Sequence, residues 1–161
     1  MKHTLSVLVE NKPGVLTRIT GLFARRSFNI DTLAVGETEN PDISRITITV
    51  DGADQPIEQV TKQLHKLINV LKITDLDPAT ILECELVLIK VRADAETRPE
   101  IMQLAEVFRA KIIDVSMETM VLEVTGTREK VEAIVELMRA FHVVELVRTG
   151  KIAMSRGKRG I

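Results

Sequence analysis

Tryptophan and tyrosine are absent from this 161-residue chain, and phenylalanine occurs four times. The scarcity removes the aromatic platforms on which RNA-binding sheets stack bases. Charge gives no support to a nucleic-acid partner either. The chain sets 22 basic side chains against 23 acidic ones, whereas nucleic-acid-binding domains carry a clear basic excess. The single cysteine, Cys84, excludes an internal disulfide and any multi-cysteine metal site. Inside the apolar run from Cys84 to Val91 it reads as a buried small hydrophobe. No apolar run approaches bilayer-spanning length, and Met1-Lys2-His3-Thr4 leads into a strand pattern with no basic region, apolar core and cleavage site. A soluble, cytoplasmic protein without membrane or nucleic-acid partners is expected.

Catalytic constellations are missing as well. His3, His65 and His142 lie at no metal-ligand spacing from one another or from Cys84. There is no Gly-x-Ser-x-Gly elbow, phosphate-cradling lysine loop or dinucleotide glycine pattern. The carboxylates Asp51 and Asp54, and Asp75 and Asp77, fall at strand ends and linkers, where solvated turns account for them. The chain is expected to hold no metal and to perform no chemistry alone.

What is present is a twice-repeated order of elements. Hydrophobic periodicity predicts strand 3–9, helix 14–26, strands 29–37 and 43–50, helix 55–68 and strand 70–77. The second helix repeats apolar residues at Ile57, Val60, Leu64, Leu67 and Leu71, with Pro56 at its start and Asp54 placed to cap it. Asn40-Pro41-Asp42 marks the hairpin between the middle strands. The second half predicts strand 85–92, helix 98–110 with Ile101, Leu104, Ala105 and Phe108 inward, and strands 112–117 and 120–125. A further helix follows, capped by Thr127 and striped by Val131, Ile134, Val135 and Met138, and then strand 143–147. The fold class is α+β: two tandem ferredoxin-like βαββαβ units, 3–78 and 83–150, joined through Leu76 to Thr80. The basic, glycine-containing segment 151–161 reads as a mobile terminus.

One connection stands out, the turn Asn11-Lys12-Pro13-Gly14-Val15-Leu16. Upstream, Leu5, Val7 and Val9 alternate with Thr4, Ser6 and Leu8, the period of a strand with one well-buried face. Downstream, Val15, Ile19, Leu22, Phe23 and Arg26 follow helical spacing. Asn11 suits closure of the turn through its side chain, Pro13 presets φ near the helix start, and Gly14 admits close approach to the backbone. Free amides of Gly14, Val15 and Leu16 at a helix N-terminus favour an anion by about 0.3 to 1 kcal/mol, and a carboxylate is a natural guest. The hexamer by itself leaves ordinary strand-to-helix geometry open as the alternative. The corresponding segment of the second half, Ala93 to Pro99, has no glycine and carries acidic residues, so an amino-acid pocket is expected in the first half only.

Further stretches carry a resemblance. Leu5 to Asn11, the Gly14 turn, Gly21-Leu22-Phe23, Phe28-Asn29-Ile30-Asp31, Ser44 to Ile48, Lys62 to Leu67, Ile112 to Val115 and Ser155-Arg156-Gly157 occur in the order and spacing of one family. Along essentially its whole length the chain resembles the regulatory, or small, subunit of acetolactate synthase (acetohydroxyacid synthase). The resemblance implies that the first unit is an ACT domain, a ferredoxin-like module that binds amino acids where two copies meet. It implies valine as effector, between the turn of one protomer (Asn11, Gly14, Val15, Leu16) and the second-strand opening of its partner (Asn29, Ile30). Side-chain carbonyls of Asn11 and Asn29 would take the ammonium and the amides after Pro13 the carboxylate. Ile30 and neighbouring aliphatic groups would take the isopropyl group, at about 0.8 kcal/mol per buried methylene-sized group. It implies no cofactor on this chain, with thiamine diphosphate, Mg and FAD on a separate catalytic (large) subunit. The small subunit would activate that partner and confer feedback inhibition in branched-chain amino acid biosynthesis. The second unit is the first candidate for docking, and Pro13 removes one amide donor from the turn.

Rival classes fit less well. An acylphosphatase-like hydrolase would need an arginine and an asparagine placed together around a phosphate, and Arg18 and Asn29 are the nearest candidates. An RNA-binding module is disfavoured by the charge balance and the missing aromatics.

Overall fold

The architecture comes from a computed structural model, which describes residues 1–52, 56–158 and 160. Contacts divide the chain into two units, Met1–Leu82 with Gly150–Ile161, and Glu83–Thr149. The expected cap Asp54 lies outside the described residues.

In the first unit, strand β1 (Lys2–Glu10) leads to helix α1 (Val15–Arg25). Strands β2 (Ile30–Glu37) and β3 (Ile43–Asp51) follow, then helix α2 (Ile57–Leu64) and strand β4 (Val70–Leu76). The sheet runs β2-β3-β1-β4, antiparallel throughout. Leu5, Val7 and Val9 alternate toward the helices and pack with Ile46, Ile48 and Val50 against Val15, Ile19, Leu22 and Phe23 of α1 and Val60 and Leu64 of α2. Phe23 and Phe28 meet edge to face at 6.1 Å, a geometry that favours aromatic pairs beyond area burial. Arg26, expected on the stripe, is exposed at the helix C-terminus. Helix α2 stops earlier than its periodicity suggests. Leu67 lies in the following turn, and Leu71 belongs to β4, where it is half exposed. The Asn40 side chain closes the predicted hairpin by accepting the Asp42 amide at 3.0 Å.

The outer face of this sheet departs from expectation, because Thr4, Ser6, Thr47 and Thr49 are buried although polar. Thr32 Oγ1 and Thr49 Oγ1 bond at 3.0 Å, while Ser6 Oγ has no partner among the described residues. Within the segment expected to be a mobile terminus, residues Ile152–Ser155 form a strand instead. Strand β9 (Ile152–Ser155) lies against β1 and β4, with Ala153 buried. β1 is hydrogen-bonded along both edges and carries helices on one face, so β9 reaches it across the other. The Arg156 amide anchors the segment on the Thr80 carbonyl at 2.8 Å. Gly150 passes so close to the Leu33 carbonyl that a Cβ would collide with it.

The second unit repeats the order. Strand β5 (Ile81–Arg92), which begins before the unit boundary, is followed by helix α3 (Arg98–Val107) and strands β6 (Lys111–Val115) and β7 (Thr119–Gly126). Helix α4 (Arg128–Met138), a 3-10 turn at Arg139–Phe141 and strand β8 (Val143–Arg148) complete it. Its sheet runs β6-β7-β5-β8. Ile101 and Ala105 of α3 and Val131, Ile134, Val135 and Met138 of α4 cover Val87, Ile89, Val91, Met120, Leu122 and Val124. Thr127 caps α4 by accepting the Lys130 amide at 3.5 Å. Both units are therefore ferredoxin-like, as the sequence predicts. Cys84 differs from expectation, being only half-buried, because it lies on the face of its strand opposite the buried Glu85, Val87, Ile89 and Val91. No helix among the described residues is long and apolar enough to cross a membrane.

Candidate functional site

The turn leaves β1 at Glu10 and enters α1 at Val15. Gly14 is the helix N-cap at φ 84°, ψ −8°, a left-handed conformation that glycine adopts without penalty. A Cβ at Gly14 would meet nothing within 4 Å. Its conformation, rather than crowding, is thus what calls for glycine. Pro13 offers no amide, and the Val15 amide makes only a long 3.4 Å bond to the Lys12 carbonyl, so one of the three expected free amides is partly used. The Gly14 and Leu16 amides have no acceptor among the described residues. The Val15 side chain is buried in the core and Leu16 is 40% exposed. Open donors at the positive end of a helix, with no acidic residue in its first turn, can seat a small carboxylate.

Asn11 fastens the turn to the β2–β3 hairpin. Its amide donates to the Asp42 carbonyl at 2.8 Å, and its Nδ2 donates to the Pro41 carbonyl at 2.9 Å and to Glu37 Oε1 at 3.3 Å. With both side-chain N–H donors used, the Oδ1 carbonyl is left to accept. The Asn29 Nδ2 makes one such bond, donating to Asp31 Oδ1 at 3.2 Å. Below the turn, Glu10 Oε2 accepts Asn69 Nδ2 at 2.9 Å and holds the Lys12 ammonium at 2.9 Å, while Arg18 Nη1 donates to Asn69 Oδ1 at 2.7 Å. The Lys12 contact, then the Asn69 bond, hold the Glu10 carboxyl below its ordinary range.

The six expected site residues do not meet within one chain. Asn11, Gly14, Val15 and Leu16 lie at the end of β1, beside the end of β2 at Glu37. Ile30 pairs with Val50, which pairs with His3 at the beginning of β1. The seven residue steps from His3 to Glu10 separate the two groups by about 23 Å at ~3.3 Å per residue. The same separation keeps Arg18, held on Asn69, from Asn29, so the pair that a phosphate-cleaving centre would need is not assembled.

The second unit handles the equivalent turn differently. Asp94 Oδ1 accepts the Thr97 amide at 2.8 Å, the Glu96 amide at 2.9 Å and the Thr97 hydroxyl at 3.1 Å. These bonds, the Thr97 amide first, pull the Asp94 carboxyl below its ordinary range. The Glu96 and Thr97 amides leading into α3 are therefore satisfied by a carboxylate of the chain itself, whereas among the described residues no carboxylate accepts from the Gly14 or Leu16 amide of the first unit.

Comparison with known proteins decides the family. A profile for an AHAS small subunit-like ACT domain matches residues 5–72, and one for the small subunit of acetolactate synthase matches residues 84–157. The probable acetolactate synthase small subunit of Archaeoglobus fulgidus is 54% identical over 159 residues, 99% of each chain. The chain belongs to the acetolactate synthase small-subunit family. The acetolactate synthase small subunit of Mycolicibacterium smegmatis is also 54% identical over 159 residues, covering 99% of this chain and 94% of that one. The crystal structure of the acetolactate synthase small subunit from Thermotoga maritima superposes with a TM-score of 0.92 at 50% identity, over 99% of both chains. Family membership makes this a regulatory, ACT-containing chain rather than an independent enzyme. Among the described residues no group of three or more His, Cys, Asp or Glu side chains is placed to hold a metal ion. Sequence reasoning missed Glu10 and Asn69, which are 59 residues apart and meet only through the β1–β4 pairing.

Proposed function

We propose that this chain is the regulatory subunit of an acetolactate synthase, activating the catalytic subunit and imposing feedback inhibition by valine in branched-chain amino acid biosynthesis. Thiamine diphosphate, Mg and FAD belong, on this reading, to the catalytic chain. The observation that carries it is the pairing of an open helix N-terminus at one end of the first sheet with an open strand start at the other. β2 is a sheet edge, and an edge strand offers unpaired backbone groups to a second chain. Two copies related by a two-fold axis and paired antiparallel along β2 bring the Asn29–Ile30 opening of one beside the Glu37 end, and hence the turn, of the other. The effector then sits between the copies. Its carboxylate faces the Gly14 and Leu16 amides, its ammonium the Asn11 carbonyl and the partner's Asn29 carbonyl, and its isopropyl group the partner's Ile30. The second unit, whose equivalent donors are already satisfied by Asp94, is left for docking on the catalytic subunit.

Thermal unfolding with added amino acid tests the effector site. At about 100 times its dissociation constant a ligand adds roughly 2.7 kcal/mol to the folded state, which raises Tm by about 5 to 11 °C for a chain of this length. Valine is expected to give that shift. No shift with valine, leucine or isoleucine contradicts the site.

A further inference from the structure

The register of β4 against β1 jumps beside the turn: Leu8 pairs with Lys72 and Val9 with Val70, leaving Leu71 as the extra residue of a bulge. Bulges re-aim neighbouring groups. This one sets the Asn69 carbonyl on the Glu10 amide at 3.0 Å and brings the two side chains together. A closed bracket results. Gly14 bonds through its carbonyl to the Arg18 amide at 3.0 Å, Arg18 to Asn69 Oδ1 at 2.7 Å, Asn69 to Glu10 Oε2 at 2.9 Å, and the Glu10 carbonyl accepts the Lys12 amide at 2.9 Å. The Glu10 carboxylate also parks the Lys12 ammonium.

The second unit is an internal control. Its β5–β8 ladder makes the same jump, from the pair Lys90 and Glu145 to the pair Val91 and Val143, and the Arg92 amide bonds to the His142 carbonyl at 3.1 Å as Glu10 bonds to Asn69. Backbone device and fold are kept, yet the side chains at the two positions are arginine and histidine and form no hydrogen bond with each other. The side-chain bracket is therefore not a requirement of the fold. It occurs in the unit whose helix N-terminus is open and is missing where Asp94 has filled the equivalent donors.

We infer that Glu10, Asn69 and Arg18 are positioning residues for the effector, holding the Gly14 and Leu16 amides outward and keeping the Lys12 ammonium off the seat. The inference rests on the effector reading above. None of the three touches the effector; each acts through the turn.

Calorimetric titration of the full-length chain with valine, leucine and isoleucine, alongside melting curves without ligand, tests it. Asn69→Ala and Glu10→Ala are each expected to weaken binding roughly tenfold, the loss of about one well-placed hydrogen bond's worth of organisation. The double variant is expected to be no weaker than either single one, because the two side chains act as a unit. Glu10→Gln, which keeps an acceptor for Asn69, is expected to stay within about threefold of wild type. Arg18→Met tests the far end of the bracket without touching the backbone and is expected to weaken binding in the same direction. Wild-type binding with Asn69→Ala, Glu10→Ala and Arg18→Met all unchanged overturns the inference alone, as does a lower Tm at unchanged affinity, which marks a purely structural bracket. No binding of any of the three amino acids to wild type overturns the effector reading and this inference with it.

Discussion

Replacing Gly14 by aspartate puts a carboxylate where the effector's own carboxylate is proposed to sit. The backbone there is left-handed, at φ 84°. A side chain in that region costs about 1 to 2 kcal/mol, with aspartate among the better tolerated. Nothing lies within 4 Å of the added Cβ, and a negative charge at a helix N-terminus returns about 0.3 to 1 kcal/mol. The net loss of stability is under about 2 kcal/mol, a fall in Tm of no more than roughly 7 °C. Binding suffers more. A charge-assisted hydrogen bond is worth about 1.5 to 3 kcal/mol, so loss of the seat weakens valine about 10- to 150-fold before like-charge repulsion is added. Gly14→Ala carries the backbone strain without the charge, and its affinity is expected to stay within a few-fold of wild type. Calorimetric titration of both variants, followed by assays with the catalytic subunit, separates the contributions: Gly14→Asp abolishes feedback inhibition and largely retains stimulation. Valine affinity of Gly14→Asp within about threefold of wild type refutes the seat, and loss of stimulation together with inhibition assigns the turn to folding or docking instead.

Asp94→Ala lowers Tm without changing effector affinity. Because the folded-state pKa of Asp94 lies below the ordinary value of 3.8, its contribution is full above that pH and is lost as pH falls through the folded value, so the Tm difference from wild type shrinks on acidification. Arg148 Nη2 donates to Glu85 at 2.9 Å and to Glu132 at 3.0 Å, and the Glu85 side chain is 4% exposed. Arg148→Ala strands that carboxylate and costs about 3 kcal/mol, the low end for a broken buried pair because Arg148 is partly solvated; calorimetry should show Tm lower by about 6 to 12 °C. Gly150→Ala drives a Cβ into the Leu33 carbonyl. It costs about 1 to 3 kcal/mol, and amide exchange of Ala153 and Met154 should accelerate more than that of the β1 core.

The elements whose signal is local were readable in advance. Val15, Ile19, Leu22 and Phe23 announce α1, and the alternation at Leu5, Val7 and Val9 announces β1, because each pattern matches one buried face. The same periodicity misled at the end of α2. Leu67 and Leu71 continue a helical spacing by coincidence, but the chain leaves the helix at His65, and Leu71 is the extra residue of the β4 bulge. Strand β9 was hidden because Ile152 to Ser155 is short, flanked by glycine and basic residues, and anchored on Thr80, far away in sequence. At the candidate site, the turn and its missing internal anion were legible from Gly14 and from the acidic composition of Ala93 to Pro99. The bracket of Glu10, Asn69 and Arg18 was not, since it depends on a register shift between strands some 60 residues apart. Nor did composition show that Asp94 serves as the second unit's own anion; that needed the positions of the Glu96 and Thr97 amides.

The most direct test of the regulatory reading is the activity of the cognate acetolactate synthase catalytic subunit, measured with and without this chain across a range of valine concentrations. Stimulation at zero valine and progressive inhibition as valine rises are expected, with an effector coupling of about 1 to 3 kcal/mol, or 5- to 150-fold. Activity that the chain neither raises nor makes sensitive to valine contradicts the account.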